Sequence, residues 1–210
     1  MPVGSLSKIT VPLDNQSNAQ GQGLLMPKLQ YRFRVGLTNF GTSQDTTELT
    51  KQVVDVTRPS LTFENMELHT YNSKVHLAGK HTWNTLTLNL RDDQSGNVTR
   101  LVGQQLQKQF DFLQQSSAVS GQDYKFRMSI EMLDGGNGTD AATTLEEWDL
   151  MGCFVVNANY NTLNYAESAP VTVTLEIQYD NARQTGVDGF SGVGQFTPRG
   201  TGTNVTGVGG

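Results

Sequence analysis

The chain holds a single cysteine, Cys153, which excludes an intrachain disulfide framework and a cysteine-rich zinc site. It lacks any apolar run near the roughly 20 residues a membrane helix requires, so no membrane anchor is expected. It lacks a basic cluster. Its 15 basic and 20 acidic residues leave a net charge of -5, which argues against gripping nucleic acid by phosphate neutralisation. Met1 to Leu13 has no basic segment followed by an apolar stretch, so no secretory signal is expected. Apolar residues are also scarce, at 36% of 210, which asks where the polarity is concentrated. The expectation is a soluble protein made in a reducing compartment, with polar ends and a structured middle.

Motifs that carry chemistry are missing too. His69, His76 and His81 are separated by seven and five residues, which matches no common zinc spacing. Cys153 beside Phe154-Val155-Val156 reads as a buried small hydrophobe. Gly192-Val193-Gly194-Gln195-Phe196 lacks the third glycine of a dinucleotide fingerprint, and no Gly-Lys-Ser/Thr triplet marks a phosphate loop. Asp134-Gly135-Gly136-Asn137-Gly138-Thr139-Asp140 fails the calcium-loop pattern and reads as a glycine-rich hairpin loop. No catalytic, cofactor-binding or metal site is expected, and no enzyme. Between Glu131 and Asp149 lie six acidic residues (Glu131, Asp134, Asp140, Glu146, Glu147 and Asp149) and no Lys or Arg. They read either as ordinary solvated flanks or as a negative surface that repels a polyanion.

The chain is rich in glycine, with 22, and these gather at the ends. Residues 1–26 are Gly, Ser, Asn and Gln rich and read as a flexible N-terminal arm. Residues 183–210 read as a glycine-rich C-terminal arm, since such a segment cannot by itself bury enough apolar area to offset its entropy. Between them, 27–182 forms one domain. Tyr31, Phe33, Val35 and Leu37 alternate with polar residues or glycine. So do Leu86, Leu88 and Leu90; Phe126, Met128, Ile130 and Met132; and Val171, Val173, Leu175, Ile177 and Tyr179. Each pattern predicts a strand with one apolar face. Further strands are expected at Thr50–Val56, Thr62–Tyr71 and Leu150–Tyr160. Val98, Leu101, Val102, Leu106, Phe110 and Leu113 recur at helical spacing and predict one helix over about 97–115. Ser95 or Asn97 is its expected cap, and Asp92 and Asp93 suit its dipole. Gln104, Gln105, Gln107, Lys108 and Gln109 are expected on its outer side. The fold class is mainly β, an antiparallel barrel or sandwich flanked by one α-helix. The strands Lys125–Leu133 and Val171–Tyr179 are expected to form the core, and Leu106→Asp or Phe110→Asp to prevent folding.

An ordered set of segments resembles the tail tube protein of contractile-tailed, T4-like bacteriophages. They are Arg58-Pro59-Ser60-Leu61-Thr62-Phe63-Glu64, Tyr71-Asn72-Ser73-Lys74, Ala78-Gly79-Lys80-His81-Thr82-Trp83 and Leu90-Arg91-Asp92-Asp93. Gln104 to Phe112, Gly121 to Phe126, Trp148, Gly152-Cys153-Phe154 and Ile177 to Ala182 complete it, so the resemblance covers about Leu29 to Ala182. It implies a small β-barrel with a helix, hexameric rings stacked into an inner tail tube, and a lumen through which DNA passes without specific binding. It further implies tail sheath, baseplate and terminator partners, and a place in the virion tail after assembly in the host cytoplasm. Thr172, Thr174 and Glu176 would then face the lumen or a neighbour, and the Thr38–Thr50 stretch and the terminal arms would reach adjacent rings. A type VI secretion-like tube protein is the alternative within the same fold group. A β-sandwich ligand-binding module is the alternative outside it.

Overall fold

A computed structural model of the chain describes residues 28–42, 46–134, 142–166, 168–186 and 192–194. The expected arm 1–26, the 135–140 part of the glycine-rich loop and most residues beyond Gly186 lie outside these. The chain divides after Arg32, and the described helices and strands lie in the second unit, Phe33–Gly210.

Strand β1 (Phe33–Thr38) leads through α1 (Thr47–Gln52) to β2 (Val53–Val56). A long hairpin follows, β3 (Leu61–Thr70) and β4 (Ser73–Trp83), then β5 (Leu86–Arg91) and the main helix α2 (Asn97–Gln109). A small ribbon, β6 (Phe110–Asp111) and β7 (Ser116–Ser117), and the short α3 (Gly121–Tyr124) lead to β8 (Phe126–Leu133). Strands β9 (Thr144–Asn159), β10 (Thr172–Gln178) and β11 (Asn181–Gly186) complete the order. Every strand pairing is antiparallel. The fold is mainly β with one substantial helix, as its patterning predicts.

The strands run β1-β8-β9-β10-β5-β2, with β11 also on β9. Strand β9 serves two sheets. Its first part pairs β8 and β11; its last part pairs β10. The switch is at Gly152. There the register against β8 slips by one, from Met128↔Leu150 to Phe126↔Cys153, and Gly152 takes φ +68. The extra residue turns the alternation over. Trp148 and Leu150 point inward before it, Cys153 and Val155 after it, so both halves of β9 feed one core. A β-carbon at Gly152 would stand 2.1 Å from Asp180 Oδ2, so glycine is required for space as well as for φ.

The core lies between the two sheets and α2. Val35, Leu37, Met128, Ile130 and Leu150 come from the first sheet; Leu86, Leu88, Leu90, Val173, Leu175 and Ile177 come from the second; Val98, Leu101 and Val102 come from the helix. Each such side chain contributes roughly 1.5–3 kcal/mol when fully buried. Helix α2 is also tied by glutamines to the loop after β1, to α3 and to β9. Gln105 is fully buried rather than outward. Its Oε1 accepts from Gly41 N (2.9 Å) and its Nε2 donates to Tyr124 O (2.7 Å). Gln109 grips Val155 through both its amide atoms, each at 2.9 Å. These buried main-chain groups need partners, and an amide supplies a donor and an acceptor together.

Several boundaries differ from the sequence expectation. The helix ends at Gln109, not near 115. The Asp111 carboxylate accepts from Leu113 N (2.9 Å) and Gln114 N (3.1 Å), a turn that competes with helix. Those two N–H groups, Gln114 first, hold the Asp111 carboxyl below its ordinary range. Phe110 therefore lies outside the core, against Phe112 (5.4 Å), while Leu106 does pack on the core. The N-cap is Gly96, not Ser95 or Asn97, and Asp93 Oδ1 accepts from Asn97 N (2.8 Å). Thr38–Thr50 is not all loop. Phe40 and Leu49 are fully buried, and Phe40 meets Phe126 edge-on at 4.9 Å. Residues 183–186 are strand in β11 rather than arm.

Candidate functional site

Among the described residues, no group of His, Cys, Asp and Glu is placed to hold a metal ion. Cys153 is buried, and that burial pushes its thiol up to about 12. The three histidines fall on the β3–β4 hairpin. His76 Nδ1 meets Asn65 Nδ2 at 3.2 Å, and His81 leans on Trp83.

The acidic stretch is not a bare negative surface. Glu131 pairs with Arg34. Asp149 pairs with Arg127 and, at 3.2 Å, with Arg183. The Arg127 hydrogen bond holds the Asp149 carboxyl below its ordinary range, against the opposing effect of burial. Glu146, only 4% exposed, accepts from Arg58 Nη2 (2.7 Å), Trp148 Nε1 (2.8 Å) and Gln184 Nε2 (2.7 Å). The arginines come from distant parts of the chain, which hides this compensation in the sequence. Thr174 and Glu176 face away from the core on the second sheet. Thr174 Oγ1 donates to Asn89 Oδ1 (2.6 Å), and Asn89 Nδ2 donates to Asp55 Oδ1 (2.8 Å). Thr172 receives the Asn161 amide at 2.8 Å. This face mixes hydroxyls and amides with the charged Asp55, Arg91 and Glu176.

The feature with the most unsatisfied surface is the hairpin. Its root is clamped. Leu61 faces Trp83, Asn84 Nδ2 donates to Ser60 Oγ (3.0 Å) and Thr62 Oγ1 (3.1 Å), and Gln178 Nε2 donates to Trp83 O (3.0 Å). Trp83 is buried against Tyr179 at 5.5 Å, and Arg58 ties the incoming chain to Glu146. Beyond the root, Thr62 to Ala78 is exposed at every position. The register pairs Met66 with Leu77 and Leu68 with Val75, so these four side chains form one apolar stripe. Each is 45–49% exposed. The opposite face is polar, with Glu67 beside His76, His69 beside Lys74, and a Lys74–Glu67 ion pair at 2.8 Å. The tip turns through Tyr71-Asn72, closed by Thr70 Oγ1 to Ser73 O (2.9 Å). At ~3.3 Å per residue the blade is about 30 Å long.

A lone two-stranded ribbon is at best marginally stable in water, and a continuous exposed apolar stripe marks a contact surface. The sequence flags Thr62–Tyr71 as a strand but gives little sign of its partner. In β4, Gly79 and Lys80 sit where the register slips between Phe63 and Asn65, which interrupts the alternation.

No protein-family model matches the chain, and no curated protein matches it in sequence. Solved structures do match. A chain in the cryo-EM structure of the anti-feeding prophage baseplate is 17% identical with a TM-score of 0.58, covering 79% of this chain and 99% of that one. One from the tube-terminating cap of the same particle is 12% identical with a TM-score of 0.57, covering 80% and 97%. One from the sheath–tube complex of an extracellular contractile injection system, PVC, is 12% identical with a TM-score of 0.55, covering 77% and 93%. In fold, the chain is similar to components of contractile injection systems, consistent with its sequence resemblance to contractile-tail tube proteins.

Proposed function

We propose that this chain is a structural subunit that assembles into hexameric rings, stacked as the inner tube of a contractile tail. Its partners are further copies of itself, the surrounding sheath, and the baseplate and terminator at the two ends. Its place is the virion tail, built in the host cytoplasm, with DNA passing through the lumen unbound, and it performs no catalytic step. The observation that carries this reading is the β3–β4 hairpin, whose root is fixed and whose apolar stripe has no cover in its own protomer among the described residues. A neighbouring copy supplies that cover in the assembled tube. The ion-paired outer face of the first sheet, with Arg34 on Glu131 and both Arg127 and Arg183 on Asp149, suits a channel wall, since paired cations are less free to hold phosphate. A head-to-tail contact closes into a ring where its rotation allows, and the contact by which rings stack does not close and so propagates as a filament.

A second reading, a type VI secretion-like tube whose cargo is not DNA, is supported by the extracellular contractile injection system from which one similar chain comes. The first test is negative-stain electron microscopy with light scattering on the concentrated protein. Hollow rings or tubes are the expected outcome. A strict monomer at every concentration, with or without baseplate components, overturns it. Nuclease protection of DNA inside purified particles separates the two cargoes.

A further inference from the structure

The first sheet has two outer edges, β1 and β11; on β1 the Thr46 hydroxyl donates to one main-chain carbonyl, Leu37 O, whereas β11 has a second stretch of backbone along it. Strand β11 is approached on its outer side by residues 192–194. Gln184 N donates to Val193 O at 2.7 Å, and Val193 N reaches Gln184 Oε1 at 3.5 Å. One further outward amide of the same edge, Ala182 N, is closed by Asn181 Oδ1 at 2.9 Å. The approach is very close. A β-carbon on Gly194, at φ +77, would stand 2.8 Å from Ala182 O and 3.2 Å from Arg183 Cα. One on Gly192 would stand 2.7 Å from Gln184 Oε1. Two glycines flanking one valine thus let a short segment lie against the strand where any other residue would hold it off.

We propose that residues 192–194 are a guard on the β11 edge, which pairs with the β1 edge of a second copy only after the guard has left. The proposal rests on the assembly reading above. An open edge is a template for pairing with another chain, and proteins that must not pair early cover it. The cover here is short, with one main-chain hydrogen bond at normal length. It denies the edge to chance encounters yet yields to a full strand. The occupant that fits is β1, the opposite edge of the same sheet. It is six residues long, as β11 is. Pairing the two continues the sheet from one copy to the next in a head-to-tail sense.

The test uses the full chain with Gly194→Val, and Gly192→Val as an independent second variant. Both should leave the thermal midpoint unchanged, because neither residue is in the core. Hydrogen exchange at the Gln184 amide of the monomer should accelerate roughly tenfold, the effect of losing one hydrogen bond. The onset of light scattering should move to lower protein concentration. If the Gln184 amide exchanges as fast in the unmodified monomer as in both variants, there is no guard. If exchange accelerates but the onset is unchanged or delayed, the segment covers the edge without guarding it, and the proposal fails while the assembly reading stands. If no form of the chain assembles, the assembly reading fails and takes the guard with it.

Discussion

Strand β10 and the hairpin β3–β4 follow the same alternation, one apolar face and one polar face, and end in opposite environments. Val173, Leu175 and Ile177 of β10 are buried, whereas Met66, Leu68, Val75 and Leu77 of the hairpin stay nearly half exposed. Both are antiparallel, although β10 has a strand on each side and β3 and β4 have only each other; that difference concerns main-chain groups, not the covering of side-chain faces. What separates them is the second layer. Strand β10 has a sheet and a helix across from it; the hairpin leaves the body at Leu61 and Trp83 and meets nothing described beyond. Alternation therefore reports that a strand has two faces. It does not report which chain supplies the cover.

The comparison can be broken first from the side of the body. Gly152→Val places a side chain on the Asp180 carboxylate at a positive φ, and should cost about 3–5 kcal/mol, read as a collapse of the urea midpoint. The hairpin should respond the other way. Leu68→Asp with Leu77→Asp should leave the monomer's unfolding midpoint within about 0.5 kcal/mol. It should abolish assembly, because two apolar side chains worth roughly 1.5–3 kcal/mol each lose their cover. A double variant that still forms tubes would remove the stripe from the interface. A finer contrast lies within one short segment. Leu106→Asp should destabilise by about 2–5 kcal/mol, whereas Phe110→Asp, one turn on and outside the core, should cost under about 1 kcal/mol.

The smallest effect is electrostatic. The folded pKa of Asp149 lies below its unfolded value, near the usual carboxylate ~3.9. Its pairing with Arg127 and Arg183 thus adds stability above that value and loses it as pH falls through the lowered folded one. Asp149→Asn should flatten the acid limb of a stability-against-pH curve and leave the hairpin's exposure unchanged. An unaltered acid limb would show that the pair adds no net stability.

Strands β1, β5, β8 and β10 and the start of α2 are legible because each depends on a local period. The features that a period cannot carry are the ones that were hidden. Gln105 sits seven residues after Val98, in phase with Leu101 and Val102, and that phase is the one signal of its burial. Its polarity conceals what it does, which is to satisfy Gly41 and Tyr124. Glu146 and Asp149 look like excess charge until Arg58, Arg127 and Arg183 are brought to them from elsewhere in the chain. The expected strand Leu150–Tyr160 is the later part of the longer β9, Thr144–Asn159, which bends at Gly152 and stays continuous.

That bend has a mechanical consequence. Because the 16 residues of β9 belong to both sheets, sliding one sheet past the other loads a covalent backbone rather than a layer of interlocked side chains. Shear must first unzip β10 from one end of the strand, or β8 and β11 from the other, before the layers can part. A body tied in this way resists shear between its sheets as one piece, and the hairpin root, tied through Arg58 to Glu146 on that same strand, moves with it.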